Sequence, residues 1–263
     1  MRHKVARARK HLVNLNAETA AFLKPGGDDE RPHGVAFTRE LRQGILVVRA
    51  SFIAERAAPV CLSLIAGDLA NNLRAALDHF VAGLKRASGA TNRQLRDGGF
   101  PVTYHSNEFR ERAGRLLSGI PEDSDAWRAI EAAQPFQAEH PDAHTLAVLA
   151  RLNNADKHRL LHPAFAYPSV SDGLELVDVL DHRHLTRQTA RWKAGAPLQH
   201  GTEIAVLRFA PGCSERPVAA NQGPVLEVSW GELSDTRTTF DAMIAAVEEI
   251  VSQGPDLATK LRT

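Results

Sequence analysis

Cysteine is scarce in this chain, with only Cys61 and Cys213 among 263 residues, and neither lies in a CxxC or a Cys/His spacing. A disulfide framework and a thiolate zinc site are therefore not expected. No serine or cysteine sits in a nucleophile elbow, which removes the usual signature of nucleophilic catalysis. Glycine-rich phosphate loops are missing as well. Neither sign of charge prevails, since 32 Lys plus Arg stand against 31 Asp plus Glu for a formal net charge of +1. With no global field to draw in nucleic acid or an anionic membrane, such a partner would have to be met by a local patch. No apolar run approaches the roughly 18 residues of a membrane helix, and the N-terminal MRHKVARARKHLVNL lacks the apolar block of a signal peptide. A cytoplasmic protein with no membrane partner is expected. What is plentiful is histidine, at 12 residues, the side chain best suited to acid-base work or metal binding near neutral pH.

Hydrophobic periodicity alternates between helix and strand. Val5, Ala8, Leu12, Leu15, Thr19 and Phe22 follow helical steps, with Arg2, Arg7, Arg9 and Lys10 opposite them, a set read as a solvated face, with a phosphate-contacting patch as the alternative. Residues 35–41 and 45–53 flank Arg42-Gln43-Gly44 as a hairpin. From Pro59 to about Arg86, Leu62, Ile65, Leu69, Leu73, Ala76, Phe80 and Leu84 make an apolar stripe on one long core helix. Residues 88–99 read as a loop. Shorter helices are expected from a Ser106 cap, from Pro121, and from Pro141 to His162. The alternating segments 174–180, 203–209 and 225–230 are expected strands, and a last helical face runs from Ser234. The fold class is accordingly α+β, one domain over 1–263. Its helical core would lie mainly in 1–25, 57–163 and 234–253, and its antiparallel β-section in 35–53 and 165–231. A helical domain with a separate small β domain is the alternative.

Two polar constellations interrupt these helices. In GDLANNLRAALDHF, Asp68, Asn72 and His79 share one row, while Asn71, Arg74 and Asp78 share the next, the last two at an ion-pairing i,i+4 spacing. In ARLNNADKHRLLH, Asp156 lands on the apolar stripe, where a carboxylate needs a partner. Arg151, His158 and His162 lie close around that second helix, and Asn153 and Asn154 sacrifice helix propensity to polarity. Were the helices neighbours, Arg74, Asp78, His79, Arg151, Asp156, Lys157 and His158 would form one catalytic group, with Asn71, Asn72, Asn154 and Arg159 as binding residues. Histidine would move the protons and guanidinium groups would stabilise phosphoryl oxygens, so no metal or other cofactor is expected.

The blocks GDLANNLRAALDHF and LNNADKHRLL resemble those of a widespread group of uncharacterised bacterial proteins, a likeness that spans most of the chain and brings no activity with it. The Arg-x4-His spacing of Arg74 and His79 is similar to the motif of HEPN domains, helical bundles found in RNases of toxin and phage-defence systems. That resemblance implies a HEPN-like bundle, metal-independent RNA cleavage through the 2′-hydroxyl, a homodimer and an antitoxin partner. Ala75 stands where HEPN motifs often carry a polar residue, and the β-section interrupts the helical chain. Two rivals stand beside this reading. One is a metal site of His79, His158 and His162, similar to the three-histidine site of DinB-like bundles. The other is a non-enzymatic RNA- or nucleotide-binding or interaction protein, in which the polar clusters hold the bundle together.

Overall fold

The computed structural model describes residues 1–24, 33–158, 161, 163–166, 172–180, 182–193, 196, 198–213, 218–220, 227–230 and 239–262. Helices and an antiparallel sheet of four strands make it an α+β chain. It divides into two compact units, one of Met1–Asn16, Ser63–Leu161 and Thr236–Thr263, the other of Ala17–Leu62 and His162–Asp235. Among the described residues, no helix is long and apolar enough to cross a membrane.

The second unit is built on a hairpin. Strands β1 (His33–Arg42) and β2 (Ile45–Ala54) pair over their full length, joined by Gln43 at φ 52° and Gly44 at φ 78°. Two successive positive φ values give the turn whose twist matches that of the strands. The later strands are β3 (Pro163–Ala166), β4 (Val177–Val179), β5 (Leu185–Ala190), β6 (Glu203–Phe209), β7 (Val218–Ala220) and β8 (Glu227–Trp230). Among the described residues, β6 and β5 join the hairpin, giving the order β1-β2-β6-β5, while β3 pairs with β8 and β4 with β7. The expected single sheet is thus divided into three ladders. Leu46, Val48, Ala50 and Phe52 of β2, with Ala205, Leu207 and Phe209 of β6, form its buried alternating face. Phe165 packs between Phe22, at 5.8 Å, and Phe52, at 5.3 Å between ring centroids.

The first unit is helical. Its share of α1 (Arg2–Leu23) and of α2 (Val60–Ala87) is followed by α3 (Asn92–Arg96), α4 (Ser106–Leu116), α5 (Asp125–Ala132), α6 (Thr145–His158), α7 (Phe240–Ser252) and α8 (Gly254–Lys260). Leu69, Leu73, Leu77, Phe80 and Leu84 of α2 are buried, with Val5 and Ala8 of α1, Phe109, Ile130, Leu149, Leu152, Met243 and Val247. Several boundaries differ from expectation for identifiable reasons. Ser106 begins α4 rather than capping it, and the cap of α5 is Ser124, whose hydroxyl accepts from Trp127 N. Helix α3 lies inside the expected 88–99 loop, closed by a capping box of Thr91 and Gln94. The Pro141–Ala143 turn is 3-10, and α6 starts only at Thr145.

Lys85 is completely buried and donates from Nζ to Gln94 O at 2.7 Å, tying α2 to α3. Burial holds its ammonium below the ordinary lysine range, an effect that nearby Asp97 partly opposes. Segment 100–104 forms no strand and is held by side chains. Gln134 Oε1 accepts from Thr103 N at 3.2 Å, while Gln134 Nε2 donates to Ile130 O at 2.9 Å.

Candidate functional site

Helix α2 divides its polar residues between two tasks. On one face Arg74 Nη2 donates to Phe100 O at 2.6 Å, Asp78 Oδ1 accepts from Phe100 N at 2.9 Å, and the two side chains pair at 3.0 Å. The ion pair thus holds both peptide groups of one residue, in a segment with no ladder of its own. Gly99 permits this approach, since a Cβ there would stand 3.3 Å from Asp78 Oδ1. Asp78→Ala strips the acceptor from a buried amide and should lower stability by about 1–3 kcal/mol. Urea unfolding measures this, and an unchanged midpoint would show that the clamp is idle.

On another face, Asp68, Asn72 and His79 line an open cleft of about 570 Å³ with Met1, His3, Lys4, Arg7 and His11 of the N-terminal helix. The row expected from the sequence is therefore present, and its counterpart is the start of α1. His3, Arg7 and His11 recur every four residues, about 6 Å apart along the axis. Arg7 Nε donates to His11 Nε2 at 3.2 Å, so this hydrogen bond requires a lone pair on that imidazole nitrogen. Asn72 Nδ2 donates to Asp68 O at 2.7 Å, which holds the amide on the wall of the cleft. His79 is exposed, so the cleft is open to solvent at this imidazole.

Helix α6 contributes one residue to this neighbourhood. Asp156 is half-buried and lies against Gly67 of α2, where a Cβ would be 2.0 Å from Asp156 Oδ1. Its carboxyl is pushed above the ordinary aspartate range, first by burial and then by the charge of Asp68. The native protein then binds this proton more tightly than the unfolded chain does. The resulting stability is fully present below the unfolded value and is lost as pH rises through the folded one. Asp156→Asn should remove that decline and raise the melting temperature at neutral pH. A melting temperature that still falls across the same acid range in the variant would exclude Asp156 as the source.

The remaining expected residues are dispersed. Arg74 and His79, five positions apart, leave α2 on different faces, the first for Phe100 and the second for the cleft. Arg151 Nη1 donates to Asp142 O at 2.8 Å and so holds the turn before α6. Asn71, Asn154, Lys157 and His158 are exposed, and none of them lines the cleft. Arg159 and His162 lie outside the described residues, as do residues 225–226 of an expected strand and residues 234–238 at the start of the last expected helix. Among the described residues, no group of three His, Cys, Asp or Glu is placed to hold a metal ion. Periodicity alone does not single out His3, Lys4 and His11, and it reads Arg7 as solvated. Their signal is nonetheless present, because seven of the first eleven residues are Arg, Lys or His and no acid precedes Glu18.

Set beside known proteins, the chain matches no family model, no curated protein and no solved structure.

Proposed function

We propose that the cleft between α1 and α2 binds the phosphodiester backbone of RNA and that His79 cleaves it without a metal. One observation carries this reading: His79 faces a ladder of basic side chains, Lys4, Arg7 and His11, across an open cleft. Lys4 and Arg7, the cations of α1 at this cleft, are suited to phosphate oxygens, and Asn72 and Asp68 to a sugar hydroxyl. In the proposed step His79 takes the proton of a 2′-hydroxyl, whose oxygen attacks the adjacent phosphorus. The bond from phosphorus to the 5′-oxygen breaks, that oxygen takes a proton from His3 or from water, and a 2′,3′-cyclic phosphate remains. Arg7 and Lys4 stabilise the charge gathering on the phosphoryl oxygens. The HEPN-like spacing is thereby kept for His79 and set aside for Arg74, which is already bound to Phe100 O.

A second reading has its own support. Arg74, Asp78 and Arg151 each bind the backbone of a loop, as expected of a structural network, and the cleft would then hold RNA or a nucleotide without turnover. Incubation of an end-labelled RNA pool with the purified protein in EDTA separates the two readings. Fragments ending in cyclic phosphate support cleavage, retention of intact RNA supports binding alone, and neither result would remove RNA from both.

A further inference from the structure

The open cleft is not the whole of the basic surface on α1. A second hollow of about 390 Å³ is lined by Arg7, Arg9, Lys10, His11, Val13 and Asn14, so Arg7 and His11 border both. The two hollows meet along one edge, formed by the hydrogen-bonded Arg7 and His11. Lys10 and Asn14 are exposed, one helical turn apart. Arg9 is the exception, because it is paired with Glu248 of α7.

We infer that the ligand of this surface is a single strand of several nucleotides, which passes from the α1–α2 cleft over the Arg7–His11 edge into the second hollow, where Lys10 and Asn14 take a further phosphate. This rests on the RNA reading of the cleft and adds to it a length requirement and two binding residues. A lone row of cations on one helix suits the phosphates of one strand, and each phosphate neutralised adds to the salt dependence of binding. Glu248 sets the limit of the track by holding Arg9 aside.

The test compares a dinucleotide with a single strand of about ten nucleotides, as RNA and as DNA, binding to the full chain by fluorescence anisotropy across a salt series. The longer RNA should bind at least tenfold more tightly than the dinucleotide. Lys10→Ala with Asn14→Ala should erase most of that advantage and reduce the salt slope by about 0.7, the share of one phosphate on a single strand. Glu248→Gln, which releases Arg9, should strengthen binding of the longer strand. Equal affinity for the two lengths, with both bound, would overturn the track and leave the cleft reading in place. Binding of neither would overturn both. Equal binding of RNA and DNA supports the track as a phosphate reader, whereas an unaltered length advantage in the double variant overturns the assignment of Lys10 and Asn14.

Discussion

Gly173→Ala is expected to destabilise the sheet unit more than the same change at any other described glycine. A Cβ at this position would stand 1.7 Å from Ile204 O and 2.6 Å from Ile204 C, both backbone atoms of β6. At Gly67, Gly98 and Gly254 the nearest atoms belong to the ends of the Asp156, Lys85 and Met1 side chains, but here a whole strand must move. Gly173 N donates to Trp192 O at 2.8 Å and the residue is buried, so its own segment is fixed as well. Overpacking typically costs about 1–3 kcal/mol, and an approach this close to backbone atoms belongs at the upper end. The variant should unfold at clearly lower urea concentration than the parent. A midpoint within error of the parent would mean that β6 yields without cost.

His79→Ala is expected to lower RNA cleavage in EDTA by about a hundredfold or more, the ordinary contribution of a positioned acid-base group. His79 is exposed, and its removal would empty no buried space, so the melting temperature should stay within about a degree or two, as for other surface changes. The pairing of these two results carries the proposal, because a structural histidine would show the opposite pattern. Loss of cleavage in His158→Ala, with His79→Ala still active, would move the chemistry to α6. Equal cleavage by both variants and the parent would overturn the assignment of the chemistry to either histidine.

Much of the fold is legible in the sequence wherever apolar spacing is long and regular. The long core helix expected over 59–86 is α2 at Val60–Ala87, and the segment 203–209 is β6 without a shift. Short elements escape because their cause is local hydrogen bonding, not periodicity: α3 depends on the Thr91–Gln94 box, and α8 follows Gln253 and has Pro255 in its first turn. The partition of strands into three ladders depends on pairing between distant segments, which periodicity does not encode. At the site, one helical row, Asp68, Asn72 and His79, is legible from the angle between residues. Its partner is not, because which face of α1 opposes it is a matter of packing between distant parts of the chain. Arg74 misleads for a related reason, since nothing in the spacing of a helix says that its arginine will be engaged by a loop more than twenty positions later.

The grip of Arg74 and Asp78 on Phe100 has a consequence for how this chain can drift. Both hydrogen bonds are to main-chain atoms, so residue 100 can be exchanged for any side chain that fits its buried space without giving up its anchorage. The constraint is transferred to two positions on α2 and to the glycine at 99, which must change together or not at all. An Arg and an Asp one helical turn apart would then persist among descendants as the trace of a loop's address, and their persistence alone would say nothing about chemistry.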